Sequence, residues 1–340
     1  MMKAVREKRV GLTPRVVSHM DMCLQCRACE VVCPSGVPFG RLMEATREQI
    51  AHQRKAPLLR RLALRLAFRH LLPYPGRVYA LGAVVRLYQR TPIWWLMRRF
   101  PGVLGRLNRQ LPALQGSFFR PSREAYAAEG AVRARVGVLS GCVMALSHGP
   151  TMEAVVRVLA RNGCQVVVPP GQACCGALNI HGGDRTRAQE MARRNIDVFL
   201  EQGVDTVIVA SAGCGSTMKE YGNLLGDDPQ YAEKAERFGS LVKDVAEFLV
   251  GLPFTPPKGS IPVRVTYQDP CHLAHAQRIT EAPRQLLGAI PGVELVEMES
   301  SSQCCGAAGL YGSLQPEMSR RLMERKVATV MDTGVEVMAT

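Results

Sequence analysis

The pattern of apolar and polar positions changes near residue 131. From there on, short apolar runs alternate with longer stretches that carry apolar residues at helical spacing. In chain order these segments span residues 136–139, 151–161, 166–168, 185–201 and 206–210. Their strand–helix–strand–helix–strand order predicts parallel strands joined by crossover helices.

The same order of segments starts again after a linker rich in proline and glycine at residues 251–259. The segments of this second set span residues 263–267, 281–289, 293–297, 317–331 and 336–340. Because the second set follows the first at an interval of about 129 residues, the chain contains an internal repeat. Aligning residues 207–211 with residues 336–340 places Thr340 opposite Ser211.

The first 130 residues lack this alternation. A polar lead-in is followed by four closely spaced cysteines, a helical run at residues 41–51, and a stretch broken by seven prolines. That stretch predicts several short helices. Residues 49–123 hold 15 Lys or Arg and no Asp or Glu, which accounts for the net charge of +14 on the 340-residue chain.

Twelve cysteines are the main chemical feature of the chain. No apolar signal segment stands at the start, and vicinal or closely spaced cysteines are poor disulfide partners. We therefore expect reduced thiolates that bind metal in the cytoplasm. No segment has the pattern of a membrane-spanning helix. No Gly-x-Gly-x-x-Gly run opens a helix, so neither flavin nor nicotinamide is expected in this chain.

Cys23, Cys26, Cys29 and Cys33 form a C-x2-C-x2-C-x3-C-P run. This spacing is typical of bacterial ferredoxins, and we predict that the four thiolates hold one [4Fe–4S] cluster. A four-cysteine zinc site is the alternative, although zinc sites usually combine two separated C-x2-C pairs. In two-cluster ferredoxins the fourth cysteine ligates the other cluster, an arrangement that would leave the first three cysteines short of one ligand.

Each repeat also carries the tripeptide Cys-Cys-Gly. Adjacent side chains diverge on a helix or a strand, so a vicinal pair reaches one metal centre only from a sharp loop, which the glycine permits. Cysteines that follow neighbouring strands would complete each set. The predicted ligands are Cys142, Cys174, Cys175 and Cys214 in the first repeat and Cys271, Cys304 and Cys305 in the second.

The remaining candidates have weaker patterns. Cys164 has no counterpart in the second repeat, and we interpret it as structural. His272 and His275 follow the first cysteine of the second repeat and are possible ligands or donors to ligands, but ordinary satisfied or exposed histidines are favoured. His148 and His181 have equally weak patterns.

Together these motifs resemble the iron–sulfur subunit of bacterial glycolate oxidase, within the wider group that carries cysteine-rich CCG domains. The matching pieces are residues 23–29 with 33–37, 141–142, 173–177, 210–215 and 303–309. The resemblance implies one ferredoxin-type [4Fe–4S] cluster and up to two clusters in the CCG modules. It implies an oxidoreductase subunit, not active alone, that takes electrons from FAD-bearing flavoprotein subunits oxidising glycolate or a similar 2-hydroxy acid. The electrons would pass toward a quinone or a similar membrane acceptor.

Two departures from the family pattern concern the ends of the chain. Family members carry two ferredoxin motifs, and this chain matches the second of them. They also continue to a further cysteine, whose counterpart would fall at position 343. We therefore expect the chain to be a fragment that lacks the first ferredoxin motif and the C-terminal end.

Ser211 separates the rival functions. In heterodisulfide reductase relatives each module ends in C-x2-C, and five cysteines hold a cluster that performs disulfide chemistry. Ser211 stands at the first position of that pair, which leaves four thiolates and favours an electron relay. The alternatives are a thiol–disulfide oxidoreductase of that type, the iron–sulfur subunit of a D-lactate or glycerol-3-phosphate dehydrogenase, and a zinc-binding scaffold without redox chemistry.

The basic stretch places Trp94 and Trp95 among Arg90, Arg98 and Arg99. Basic helices with tryptophan suit an anionic membrane surface, so residues 51–123 predict a peripheral contact with the inner face of the cell membrane, close to quinone. A solvated face docked on an acidic partner subunit is the alternative. Proline-broken helices offer no recognition element for nucleic acid, so no nucleic-acid partner is expected.

The predicted fold class is α+β, with an N-terminal α-helical ferredoxin-like iron–sulfur segment followed by two repeated α/β CCG modules with mainly parallel strands. The predicted divisions are residues 1–50 for the ferredoxin-type segment, 51–130 for a basic helical connector, 131–250 for the first CCG module and 263–340 for a truncated second module.

Overall fold

The N-terminal part of the protein is helical. A computed structural model describes every residue except 54–61, 63–65, 103–104, 106–107, 110, 115 and 310. Pro14, Pro75 and Pro92 each open a helix, where the missing N–H of proline leaves no hydrogen bond unmade. The helices are α1 (Met2–Arg6), α2 (Pro14–Asp21), α3 (Ala28–Val31), α4 (Phe39–Gln53), a π-helix at Leu66–Leu71, α5 (Pro75–Gln89) and α6 (Pro92–Arg99).

The first repeat folds into a four-stranded parallel sheet with strand order β2-β1-β3-β4. This arrangement confirms the predicted parallel strands and crossover helices. The fourth strand is three residues long and contains one apolar residue, so no apolar run signals it. The elements are β1 (Ala134–Val138), α7 (Val143–Ser147), α8 (Gly149–Arg161), β2 (Cys164–Val167), α9 (Ala177–His181), α10 (Arg185–Leu200), β3 (Thr206–Val209), α11 (Ala212–Lys219), α12 (Tyr221–Leu224), α13 (Ala232–Leu241), β4 (Val242–Asp244) and α14 (Val245–Val250).

Both faces of this sheet are buried, as parallel sheets require. Val136 and Val138 of β1 point into a core that includes Leu159 of α8. Val207 of β3 points into the opposite core, which includes Phe199 of α10. Side chains therefore alternate between two hydrophobic layers, and this alternation fixes the strand register.

The second repeat forms a separate three-stranded parallel sheet with strand order β6-β5-β7. This order repeats β2-β1-β3 of the first sheet. Its elements are β5 (Val263–Tyr267), a π-helix at His272–Ala276, α15 (Glu281–Gly288), β6 (Val293–Leu295), α16 (Tyr311–Leu314), α17 (Pro316–Asp332) and β7 (Val337–Ala339). In the described part of the chain no helix is both long and apolar enough to cross a bilayer.

The register of the two sheets corrects the alignment of Thr340 with Ser211. Val138 pairs with Ile208 in the first sheet, and Tyr267 pairs with Ala339 in the second, so Thr340 corresponds to Val209. The cause is loop length, because each of the two connecting segments around the vicinal cysteines is one residue longer in the second repeat. The predicted equivalence of Thr340 and Ser211 is therefore wrong by two positions.

A buried ion pair joins α15 to the segment that follows the central strand β5. Arg284 of α15 donates to both carboxylate oxygens of Asp269, at 2.8 and 2.9 Å, and also contacts Glu297. The Asp269 side chain is only 3% exposed. Burial by itself raises the pKa of Asp269, but hydrogen bonds from Arg284 and Ser301 outweigh it and hold that pKa below its usual value.

We expect Arg284→Met to destabilise the second repeat by about 3–5 kcal/mol, because it leaves the Asp269 carboxylate buried without a partner. Native-state hydrogen exchange of the β5 amides measures this loss. The matched control is Arg320→Met, which removes an exposed pair with Glu324 and should change stability by about 0.5 kcal/mol or less. Equal losses of stability in the two variants would show that the buried pair contributes no more to stability than the exposed one.

Candidate functional site

The four thiols of the first repeat meet at the carboxyl edge of the sheet. Cys142 follows β1, Cys174 and Cys175 follow β2, and Cys214 lies in the first turn of α11 after β3. Because parallel strands end at the same edge, the loops after β1, β2 and β3 converge. The Sγ atoms of Cys142 and Cys174 are 3.5 Å apart, and those of Cys175 and Cys214 are 3.1 Å apart.

The glycine after each vicinal pair adopts a backbone conformation that other residues rarely take. Gly176 has φ +85° and Gly306 has φ +83°. A Cβ on Gly176 would lie 3.2 Å from Ala188 of α10, and one on Gly306 would lie 2.6 Å from the carbonyl oxygen of Ser319 in α17. The sharp loop predicted for Cys-Cys-Gly is confirmed, and glycine is required for both its conformation and its close packing.

Hydrogen bonds among the buried thiols separate their proton affinities. The Cys142 thiol bonds Cys174 and, with the adjacent Cys175, lowers the pKa of Cys174 well below its usual value. The Cys175 thiol donates to Cys214. Contacts with these neighbouring sulfurs, together with burial, raise the pKa of Cys142 and of Cys175. Within the Cys142–Cys174 pair, the environment therefore favours the thiolate at Cys174.

In the second repeat, Cys271 and Cys304 reproduce the pattern of Cys142 and Cys174. The thiol of Cys271 bonds Cys304, which lowers the pKa of Cys304 to about 6 and raises the pKa of Cys271. The backbone N–H of Gly306 points at the Cys304 sulfur from 3.4 Å. The ammonium group of Lys326, held by the carbonyl oxygens of Ser300 and Ser301 at 2.8 and 3.0 Å, also favours the Cys304 thiolate.

The four N-terminal cysteines divide into two pairs. Cys23 and Cys26 line the cavity described below, whereas Cys29 is exposed and, like Cys33, lies away from that cavity. Burial raises the pKa of Cys26 and of Cys29. Backbone N–H groups, first that of Val37, lower the pKa of Cys33. The structure therefore brings the first pair of this quartet toward the repeats.

One cavity of about 1520 Å³ collects nine of the eleven predicted ligands. It is larger than most pockets for small molecules, which measure about 300–1,000 Å³. Its wall includes Ser211 and Thr340. The nine cysteines are Cys23, Cys26, Cys142, Cys174, Cys175, Cys214, Cys271, Cys304 and Cys305.

Cys164 lies outside this cavity. It is fully buried in β2, in the core on the α8 side of the first sheet. This position agrees with the structural role favoured from its lack of a counterpart.

Two cationic side chains near the cysteines were not predicted from the sequence. Arg47 of α4 donates to the carbonyl oxygen of Cys23 at 2.7 Å and to that of His181 at 3.1 Å. Lys326 of α17 stands beside the thiols of the second repeat, as described above. Both occupy ordinary positions on amphipathic helices, so no local pattern distinguishes them from surface cations.

The donor set suits an iron–sulfur cluster better than a single ion. Among the described residues, no group of three or more His, Cys, Asp or Glu side chains is arranged to hold one metal ion. The thiols instead meet in pairs along the cavity wall, and the eleven favoured ligands are all cysteines. Iron–sulfur clusters are held by cysteine thiolates, so the residues present fit that group.

Comparison with known proteins agrees with this chemistry. The model of the cysteine-rich CCG domain matches residues 136–219 and 265–340. The model of the linker region of the glycolate oxidase iron-sulfur subunit matches residues 58–116. A probable glycolate oxidase iron-sulfur subunit of Bacillus subtilis (strain 168) is 37% identical over 100% of this chain and 79% of its own length.

The glycolate oxidase iron-sulfur subunit of Escherichia coli (strain K12) is 30% identical over 97% of this chain and 77% of its own length. The chain belongs to the family of glycolate oxidase iron–sulfur subunits. A more distant relative, one of the subunits of the fumarate reductase (CoM/CoB) of Methanothermobacter marburgensis, is 35% identical over 61% of this chain and 40% of its own length. As a member of this family the chain is an iron–sulfur electron-transfer subunit of an oxidoreductase and carries [4Fe–4S] clusters.

We expect Cys175→Ala to lower the iron content of this iron–sulfur subunit by about four atoms per chain, because one [4Fe–4S] site loses a thiolate. Iron and acid-labile sulfide analysis of the purified protein measures the change. Cys164→Ala is the matched control and should leave the iron content unchanged while costing about 1 kcal/mol of stability. Equal iron loss in the two variants would contradict the assignment of Cys175.

Proposed function

We propose that this subunit carries electrons from a flavoprotein partner to a quinone or a similar acceptor, in a complex that oxidises glycolate or a related 2-hydroxy acid. In that reaction the hydroxy acid becomes a 2-oxo acid and gives two electrons and two protons to the flavin. The quinone takes up two electrons and two protons. The observation that carries the proposal is the single cavity whose wall includes thiols of all three cysteine sets.

The clusters, when bound, supply the storage and transfer of single electrons. The residues of the chain supply the thiolates, bury Cys174, Cys175 and Cys304, and place a cation beside two of the three sets. The proposal places one [4Fe–4S] cluster at the N-terminal quartet and up to two in the repeats. The proposed ligands are Cys23, Cys26, Cys29, Cys33, Cys142, Cys174, Cys175, Cys214, Cys271, Cys304 and Cys305.

Ser211 supports a relay over disulfide chemistry. It directly precedes α11 and lines the cavity three residues before Cys214. A hydroxyl at this position leaves the first repeat with four thiols in contact as two pairs, which suits an ordinary [4Fe–4S] cluster. A thiol–disulfide oxidoreductase of the heterodisulfide reductase type would use a cysteine there.

The test of this function is the complete complex with its flavoprotein subunits. Glycolate, added without oxygen, should reduce the iron–sulfur signals seen by EPR only when the flavoprotein is present. D-lactate in a parallel sample distinguishes the substrate. Signals that stay oxidised with every 2-hydroxy acid would overturn the relay. A radical signal that appears on adding a thiol alone would support the disulfide reductase instead.

We also propose that α5 and α6 contact an anionic membrane surface where the acceptor is found. Trp95 and Leu96 of α6 are 60% and 58% exposed, and Val84 and Leu87 form an exposed apolar face on α5. The guanidinium of Arg99 lies 3.5 Å from the centre of the Trp95 ring. Exposed apolar side chains among arginines, in a stretch without acidic residues, match an interfacial helix.

We expect Trp95→Ser to weaken binding to vesicles of anionic lipid about tenfold, because burying a large apolar side chain contributes about 1.5–3 kcal/mol. Co-sedimentation at two salt concentrations measures the binding. Met331→Ser is the matched control, since Met331 is 72% exposed but lies on α17. Equal binding of the wild type to neutral and anionic vesicles would contradict the proposal.

A further inference from the structure

Two histidines of the second repeat hold the N-terminal cysteine loop by its backbone. Nε2 of His272 is 2.9 Å from the carbonyl oxygen of Gln25, and Nδ1 of His275 is 3.0 Å from the carbonyl oxygen of Cys26. A carbonyl oxygen only accepts hydrogen bonds, so each of these ring nitrogens carries the proton. The contacts therefore join segments about 250 residues apart in sequence.

The loop that these histidines hold has an unusual backbone. Gln25 and Arg27 have φ +53° and +62°, a region that residues other than glycine seldom occupy. The backbone N–H of Gln25 points at the sulfur of Cys23 from 3.4 Å, whereas the carbonyls of Gln25 and Cys26 point toward the histidines. Such a conformation persists only where its surroundings fix it.

His272 also contacts segments that carry the other two thiol sets. Its ring packs edge-on against that of His181, at 5.6 Å between centroids, and His181 ends the helix that follows Cys174 and Cys175. A Cβ on Gly213, which precedes Cys214, would lie 3.7 Å from Nδ1 of His272. One side chain thus adjoins the N-terminal loop, the first repeat and its own neighbour Cys271.

We propose that His272 and His275 are positioning residues that lock the N-terminal cysteine loop onto the second repeat. They keep the carbonyl groups of the loop turned away from the thiolates, and they fix the distance between the N-terminal centre and the centre of the second repeat. The proposal rests on the proposed function, since it concerns the passage of single electrons between these two centres.

Two physical effects follow from the lock. A carbonyl that turns toward the thiolates brings its negative end near a centre that gains an electron on reduction, which disfavours the reduced state. A loop that moves away from the second repeat lengthens the path between the two centres, and electron transfer slows steeply with distance. Loss of the histidine donors therefore lowers the reduction potential of the N-terminal centre and slows transfer.

The experiment compares alanine variants with variants that keep a donor at the same place. His272→Gln retains a donor at the ε position, and His275→Asn retains one at the δ position. Potentiometric EPR titration with chemical reductants, iron analysis and the rate of acceptor reduction by the complete complex are measured for each. In the double variant His272→Ala with His275→Ala, we expect a more negative reduction potential of the N-terminal centre and a rate of acceptor reduction about ten- to hundredfold lower. The His272→Gln and His275→Asn variants should keep values close to those of the wild type.

The matched control is His148→Ala, because His148 bonds its neighbour Ser147 in the first repeat. It should leave the potential of the N-terminal centre unchanged. Loss of iron from the N-terminal centre in the alanine variants, but not in the donor-retaining variants, would also support the lock. An unchanged potential in the alanine variants, or equal changes in the alanine and the donor-retaining variants, would overturn it. Because the titration needs no flavoprotein, it reports on the lock even if the complex fails to pass electrons.

Discussion

The close approach of each Cys-Cys-Gly loop to the second helix after it, α10 in the first repeat and α17 in the second, is the constraint on which the rest of the structure depends. Gly176 packs against Ala188, which is fully buried, and Gly306 packs against Ser319. With a left-handed glycine at that contact, the two preceding cysteines turn back to the carboxyl edge of the sheet. The parallel strands then deliver the remaining cysteines to the same edge, so the packing of the helix and the position of the thiols are set together.

Every strand of the two repeats except β4 was predictable, because a local apolar pattern specifies it. Buried parallel strands appear as short apolar runs between helical segments. Each predicted run begins and ends within two residues of the observed strand. The vicinal cysteines were equally accessible, since chemistry requires a loop there. The register of β7 was predicted wrongly by two residues, because single-residue differences in loop length leave no trace in an apolar run.

The arrangement of the N-terminal loop on the second repeat could not be predicted in this way. His272 and His275 stand alone among apolar neighbours, and their partners are backbone carbonyls that any residue would offer. Arg47 likewise donates to the backbone carbonyls of Cys23 and His181, in addition to the Gln25 side chain. Contacts of this kind depend on the three-dimensional path of the chain, so residue type at one position says nothing about them.

The two repeats share a hydrogen bond between thiols that links metal binding to proton release. In each, the first cysteine of the vicinal pair has a lowered pKa because the cysteine after the first strand donates to it. Iron binds thiolates, so each thiol must lose its proton before it becomes a ligand. The lowered pKa of Cys174 and Cys304 favours that loss, whereas the raised pKa of Cys142 and Cys271 opposes it. Because thiols lose their protons more readily as the pH rises, the affinity of both sites for metal increases with pH.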